Sequence, residues 1–402
     1  MHVIIDATTT QDQFAYSGIG QYTKNIILAL AKFRSDLVIS LLLFNDKEST
    51  LDKSIKEFKN IYVSRIGKYK ESNYMNSVVY KKQMLPVIMK LKRRDSVYFC
   101  PYFWRYYPAD KMPTVLFVHD MILPLYNIYS QKSKLANLIR KSQYWDAMNQ
   151  SLNCAHILCN SDTTRMDYLK YYPEYKPENV TTTYLGLEME EKDYSLSEIL
   201  PSDYKERGYF IYLGGGISES KNSAGVIDGY ANFADILKSK GIDVFPYLVV
   251  AGGKFQDTIR KEVVDLYSLI ERYGLTNDVF FTGFYPDDAK YALLHNSIAF
   301  VHLSLYEGFG ISVLEALRSK ALTIIDKNPA YVELFDNFSC IVDGTKPEEC
   351  GSKMYDIYMD QFKYEKLVRM GYDYSLEFTW EATARKTYKV LLDVLKENNG
   401  VI

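Results

Sequence analysis

Residues Val279 to Leu317 read VFFTGFYPDDAKYALLHNSIAFVHLSLYEGFGISVLEAL. A short β-rich run, Val279–Thr282, gives way to a segment of helical period, Asp287–Asn296. A second apolar run, Ile298–Leu303, is followed by a second helical segment, Ser312–Lys320. Short apolar runs alternating with longer helical segments are the pattern of a parallel sheet whose strands are joined by crossover helices. The alternation extends in both directions. In the second half it adds strands Phe210–Leu213, Tyr247–Ala251 and Leu322–Ile325 and helices Asn222–Leu237 and Gln256–Tyr273. In the first half it gives strands Val3–Ile5, Val38–Phe44, Val97–Cys100, Val115–His119, His156–Asn160 and Val180–Leu185. The helices there are Gly20–Ala31, Leu85–Arg94, Lys132–Asn153 and Asp162–Tyr171. The expected fold class is α/β, with two Rossmann-like, doubly wound parallel-sheet domains. Leu187–Gly208, charged and without sustained period, reads as the linker. The domains are expected at 1–190 and 191–379. The apolar face of Trp380–Lys396 (Ala384, Tyr388, Leu391, Leu392, Leu395) demands a docking partner that period alone does not name.

The length fits two domains: 402 residues is more than twice a domain of ~150. The formal net charge of -2 excludes a uniformly basic nucleic-acid coat and an acidic solvating tail. That near-neutrality conceals an asymmetry. Up to Glu190 there are 25 Lys/Arg against 18 Asp/Glu, a net of +7, and beyond it 23 against 32, a net of -9. The 36 tyrosines admit a stacking surface or a plain compositional habit, and no function is drawn from them. Cys100, Cys154, Cys159, Cys340 and Cys350 form no CxxC and have no His at ligand spacing, which points to a reducing cytosol rather than a disulfide framework or zinc site. The N-terminus lacks the basic and apolar regions of a signal peptide, and no run reaches ~18 apolar residues. A cytoplasmic protein is expected.

Ligands of open α/β sheets sit beyond the carboxyl ends of the strands, so the strand-to-helix turns carry the functional reading. Ser17-Gly18-Ile19-Gly20 opens the first helix, and Gly214-Gly215-Gly216 precedes Lys221 and Asn222. Such glycines let backbone approach a ligand, and a helix N-terminus favours an anion. Neither turn is a dinucleotide fingerprint, because Thr23 and Glu219 stand where third glycines belong, which disfavours a nicotinamide oxidoreductase. A lysine ahead of a helix capped by Asn222 is unfavourable unless an anion is bound, so this turn points to phosphate. In the third turn Ser312 and Glu315 match a capping box that alone would explain both. It does not explain Glu307, Gly308 and Gly310. Two metal-free carboxylates suit sugar or ribose hydroxyls, and freed amides suit a diphosphate.

Glu307-Gly308-Phe309-Gly310 with Glu315 resembles the Glu-x7-Glu motif of the retaining family 4 glycosyltransferases, which have the GT-B fold of two Rossmann-like domains facing across a cleft. SGIGQYTKNIILAL, VHDMILPLY, AHILCNSDTTRMDYLKYY and YLGGGISESKN resemble further family segments, and FTWEATARKTYKVLL resembles the closing helix that returns to the N-terminal domain. The resemblance implies a hexosyltransferase using a nucleotide-diphosphate sugar, mannosyltransferase-like, in polysaccharide assembly. It implies that Glu307 hydrogen-bonds the donor sugar while Gly308, Phe309 and Gly310 hold sugar and phosphates through their amides. Glu315 would bind ribose hydroxyls and Lys221 the leaving diphosphate, with Gly215 and Asn222 in the phosphate turn. His119, with Asp120 beside it, would face the sugar from the other domain, near Gly18 and Gly20, and the base would lie against Thr282-Gly283-Phe284. His2, His156, His295 and His302 are read as ordinary core residues.

No metal or other cofactor is expected. Asp-x-Asp is absent from the chain, so Lys221 and helix dipoles are the counter-charges. The sequence departs from the family at Gly215 and Ser220, where members carry an arginine near the lysine. From Asn60 to Arg94, nine basic residues (Arg65, Lys68, Lys70, Lys81, Lys82, Lys90, Lys92, Arg93, Arg94) face one acid, Glu71. That region reads as a solvated face or as a patch for an anionic membrane or lipid-linked glycan acceptor. A nucleotide-sugar 2-epimerase and a non-catalytic nucleotide-sugar-binding subunit are the competing functions.

Overall fold

The computed structural model describes residues 1–69, 76–122, 134–214 and 218–400. It divides into two compact units, Met1–Gly186 with Phe378–Ile402, and Leu187–Glu377. The first holds seven strands: β1 (His2–Asp6), β2 (Val38–Phe44), β3 (Ile61–Ile66), β4 (Ser96–Cys100), β5 (Thr114–Val118), β6 (His156–Cys159) and β7 (Val180–Thr182). Their order is β3-β2-β1-β4-β5-β6-β7, every pair parallel. The chain winds outward from β1 one way and then, from β4, the other, so the topological switch lies between β1 and β4. β1 and β4 are buried throughout, as strands covered by helices on both faces must be.

The second unit repeats the plan with β8 (Tyr209–Leu213), β9 (Tyr247–Ala251), β10 (Val279–Gly283), β11 (Ala299–His302), β12 (Thr323–Asp326) and β13 (Cys340–Val342), ordered β10-β9-β8-β11-β12-β13. Its switch falls between β8 and β11. Two edge strands, β3 and β13, were not expected from the sequence. β3 alternates weakly and exposes Tyr62 and Val63, and β13 is three residues long.

Three expectations are corrected. The helix placed at Leu85–Arg94 runs Asn76–Leu91 with Pro86 inside it. The proline forgoes a bond to the carbonyl of exposed Lys82, where water can serve, so it does not end the helix. Strand β5 stops at Val118, one residue before His119. The stretch read as a linker is laid on the second unit instead, where Lys192 meets Asp288 at 2.5 Å and Glu191 meets Lys320 at 3.0 Å. The closing helix, Trp380–Asn398, docks in the first unit. Thr383 Oγ1 donates to the Tyr184 carbonyl at 2.8 Å, Phe33 and Tyr388 meet edge to face, and a Cβ on Gly186 would fall 2.3 Å from Trp380 N.

Among the described residues of the basic region, the basic side chains are exposed, and so is Met89, while other apolar ones are buried or half-buried. Tyr80, Met84 and Ile88 are buried in the core, while Lys81, Lys82, Lys90, Lys92, Arg93 and Arg94 are exposed. Lys70, Glu71, Tyr74 and Met75 lie outside the described residues. No described helix is long and apolar enough to cross a membrane.

Candidate active site

At the switch of the second unit, the turn after β8 and the turn after β11 are stitched together. Leu305 N and Ser304 Oγ both donate to the Ser220 carbonyl, at 2.8 and 2.9 Å, and Asn328 Nδ2 donates to the Ser304 carbonyl at 2.6 Å. Asn222 sits in the left-handed region (φ 49°), which asparagine tolerates better than most residues. Its Oδ1 caps helix Ser223–Ser239 by accepting from Gly225 N, and its Nδ2 donates to the Gly344 carbonyl. This fixes the residue before it. Lys221 Nζ donates to Glu307 Oε1 at 2.5 Å, joining the two turns through a pair only 24% and 16% exposed. Gly215 lies outside the described residues.

Behind that pair stands His302, the last residue of β11, with Nε2 3.5 Å from Glu307 Oε1. Tyr212 and Phe300 stack on its ring. Burial pushes its pKa down to about 4 against the opposing pull of Glu307, so the imidazole is neutral at pH 7. Burial also works to raise the Glu307 carboxyl, but Lys221, with His302 and Ser304, outweighs it and holds the group below its ordinary value. The carboxylate is therefore ionised and already satisfied by a cation.

Gly310 is the N-cap of helix Ile311–Arg318. Its φ of +97° demands glycine, and a Cβ there would fall 2.5 Å from the Tyr331 ring. The capping box expected from Ser312 and Glu315 is not formed. Ser312 lies two residues beyond the cap, with its hydroxyl 3.4 Å from His302 Nε2, and Glu315 Oε1 accepts from Lys290 Nζ at 3.0 Å. Glu315 chiefly raises the Lys290 pKa. Gly308 and Phe309 are buried in the turn. At the end of β10, Gly283 takes φ +66° with Gln256 filling the space of a Cβ, while Phe284 is 86% exposed.

In the first unit, Gly18 and Gly20 open helix Gly18–Phe33 and differ in kind. A Cβ on Gly20 would lie 2.2 Å from the Phe14 carbonyl oxygen, so packing requires that glycine. A Cβ on Gly18 meets nothing within 4 Å. The His119 ring is held by Tyr22 and Phe117, and its Nε2–H donates to the Pro101 carbonyl at 2.9 Å. Burial pushes its pKa down to about 4, leaving Nδ1 of the neutral ring as an acceptor. Asp120 Oδ1 accepts from Ile122 N. The turns after β1 and β4, which flank this switch, are tied by a buried ion pair between Asp12 and Arg105.

Sequence reasoning missed His302, Lys290 and the Asp12–Arg105 pair. For His302 a signal existed, a histidine ending a strand as at His119. Among the described residues, no group of three His, Cys, Asp or Glu side chains is placed to hold a metal ion.

Residues 205–374 match the family model described as glycosyl transferases group 1. The chain is 22% identical over 401 residues to the O-antigen chain mannosyltransferase B of Escherichia coli, covering 94% of this chain and 97% of that protein. It is 23% identical over 413 residues to the serotype-specific mannosyltransferase WbdA of Escherichia coli, covering 96% of this chain and 47% of that longer protein. The solved structure of Anabaena HepE in complex with UDP and glucose superposes with a TM-score of 0.69 at 16% identity, covering 98% of this chain and all of that one. Sucrose-phosphate synthase from Thermosynechococcus elongatus does so with 0.70 at 14% identity, covering 99% and 100%. At such identities the structural likeness is one of fold. The group 1 match thus lies on the second unit, and the chain, whose two parallel-sheet units have the GT-B fold, is similar along its length to mannosyltransferases.

Proposed function

We propose that the chain is a retaining, metal-independent hexosyltransferase. It would move a hexose from a nucleotide-diphosphate sugar, GDP-mannose before UDP-sugars, to a glycan or lipid-linked glycan acceptor. The observation that carries this reading is the Lys221–Glu307 pair at the switch of the second unit, a cation and a carboxylate on the two turns where a ligand of such a sheet belongs. Cleaving a sugar–phosphate bond builds positive charge on the anomeric carbon and negative charge on the departing diphosphate, and preorganised groups at both ends lower that barrier. Lys221 exchanges Glu307 for the phosphate, which frees the carboxylate to accept a sugar hydroxyl. The amides of Gly308, Phe309 and Gly310 hold sugar and phosphate oxygens, with Gly215 and Asn222 as further donor-binding residues. Glu315 takes the ribose hydroxyls, and the base lies against Gly283 and Phe284. On the first unit, His119 accepts a sugar hydroxyl at Nδ1, near Asp120, Gly18 and Gly20.

Retention follows from a same-face transfer in which the leaving phosphate oxygen helps deprotonate the acceptor hydroxyl. An ion-paired Glu307 is a poor nucleophile, which favours this route over a covalent intermediate. Counter-charge comes from Lys221 rather than a metal. A thermal-shift panel of GDP, UDP, ADP and their sugars, run in EDTA, tests the reading. Ligand at 100 times its dissociation constant stabilises by about 2.7 kcal/mol, so GDP and GDP-mannose are expected to raise Tm by several degrees with the chelator present. No shift with any nucleotide overturns the donor assignment, and a shift abolished by EDTA overturns metal independence.

We propose further that the Arg65–Arg94 region attracts the protein to an anionic membrane face or lipid-linked acceptor. The region's described basic residues are exposed, while Met84 and Ile88 are buried and Met89 is 44% exposed, so attraction to an anionic surface would be mainly electrostatic, on the order of 1 kcal/mol for each basic side chain near it. Co-sedimentation with anionic vesicles at low salt and release at high salt are expected. Absence from the pellet at both salts removes the membrane from this function.

A further inference from the structure

The phosphate turn presents Lys221, yet Glu307 already offsets that charge at 2.5 Å. A diphosphate carries more negative charge than one such lysine can match. The neighbouring turn, after β9, lies directly against the phosphate turn. Gly252 takes φ +142° and a Cβ there would fall 2.9 Å from the Gly214 carbonyl oxygen, so both backbone and packing call for glycine, and Phe255, wholly buried, lies where a Cβ on Gly214 would come within 2.4 Å of its ring. Gly214 N in turn donates to the Ala251 carbonyl. Lys254 is therefore held on the short turn Gly253–Gln256 between an anchored phenylalanine and a glycine pressed on the phosphate turn.

We propose that Lys254 is the second cation of the diphosphate site, acting from the turn after β9 beside Lys221. This rests on the donor reading above and goes beyond it, since neither sequence pattern nor family match points to this residue. The local field agrees. Partial burial and the positive charges of Arg260 and Lys221 together lower the Lys254 pKa, so cations crowd here and repel one another. An arriving anion relieves that repulsion, which makes the region a stronger anion site than any one lysine. Arg260 meets Asp257 at 3.0 Å and contributes to the field.

The test compares wild type, Lys254→Met and Lys254→Arg by calorimetric titration with GDP, GMP and inorganic pyrophosphate, and checks that the unliganded Tm values agree. Lys254→Met is expected to weaken GDP and pyrophosphate about tenfold and GMP less than threefold, with Lys254→Arg recovering most of the loss. If GDP binds wild type and Lys254→Met leaves the ratio of GDP to GMP affinity unchanged, the assignment is wrong while the donor reading stands. If no nucleotide binds but pyrophosphate does so in a Lys254-dependent way, the cation site stands and the donor reading falls. If wild type binds none of the three, both fall.

Discussion

Glu307→Gln is expected to lower sugar transfer by about a hundredfold or more, while GDP binding stays level or tightens. The magnitude is that seen when one preorganised polar group is removed from a site that stabilises developing charge. The split between the two measurements follows from the Lys221–Glu307 pair. In the unliganded protein Lys221 is held at 2.5 Å by the carboxylate, and it must leave that partner to reach a phosphate. The glutamine keeps the shape of the turn but gives up the charge, so Lys221 is released to the diphosphate more readily as the sugar loses its acceptor. Lys221→Met should behave oppositely, weakening GDP and transfer together. Steady-state kinetics alongside GDP titration decide the matter. Transfer within threefold of wild type for Glu307→Gln would remove Glu307 from the reacting centre.

The parts of this arrangement that are local in sequence were legible there. Strand β9 and helix Asp162–Tyr171 were read at their observed bounds, because a buried parallel strand and a well-capped helix each declare themselves within a dozen residues. Glu307, Gly308 and Gly310 were legible for the same reason, as one strand-to-helix turn. What depends on distant residues was not. Lys290 reaches Glu315 across 25 positions, and nothing in either segment announces it. His302 looked like a core histidine, and by burial it is one; only the fold shows that Glu307 stands over it. The capping-box reading failed because the pattern Ser-x-x-Glu was genuine text in the wrong register. A glycine at φ +97° ended the turn two residues earlier, and a tertiary ion pair then claimed the glutamate. Edge strand β3 was lost because neighbouring Tyr62 and Val63, which point to opposite faces, are both exposed, and that breaks the alternation.

Arg105→Met should produce the largest loss of stability, and it addresses the other switch point. Arg105 and Asp12 have side chains only 3% and 2% exposed, and their ion pair fastens the turn after β4 to the turn after β1. Asp12 also accepts from Phe14 N, so the pair organises the loop against which Gly20 packs. Removing one partner of a buried pair strands the other charge, at a cost of about 3–5 kcal/mol. For a unit of this size that corresponds to a fall in Tm on the order of 10 °C. Asp6 gives the loss a pH signature. Burial raises its pKa, and Arg105 is the chief influence opposing that rise. Without Arg105 its native-state pKa climbs further above the unfolded value, so the native state binds more protons and stability falls as pH rises through that window. The Tm deficit of Arg105→Met should therefore be largest near pH 7.5 and shrink toward pH 5. The double variant Asp12→Asn with Arg105→Met should recover part of the loss, since it removes the stranded carboxylate. Thermal unfolding of the three proteins across that pH range measures all of this. A deficit below about 2 °C would show that the pair is dispensable, and one independent of pH would exclude Asp6 as its cause.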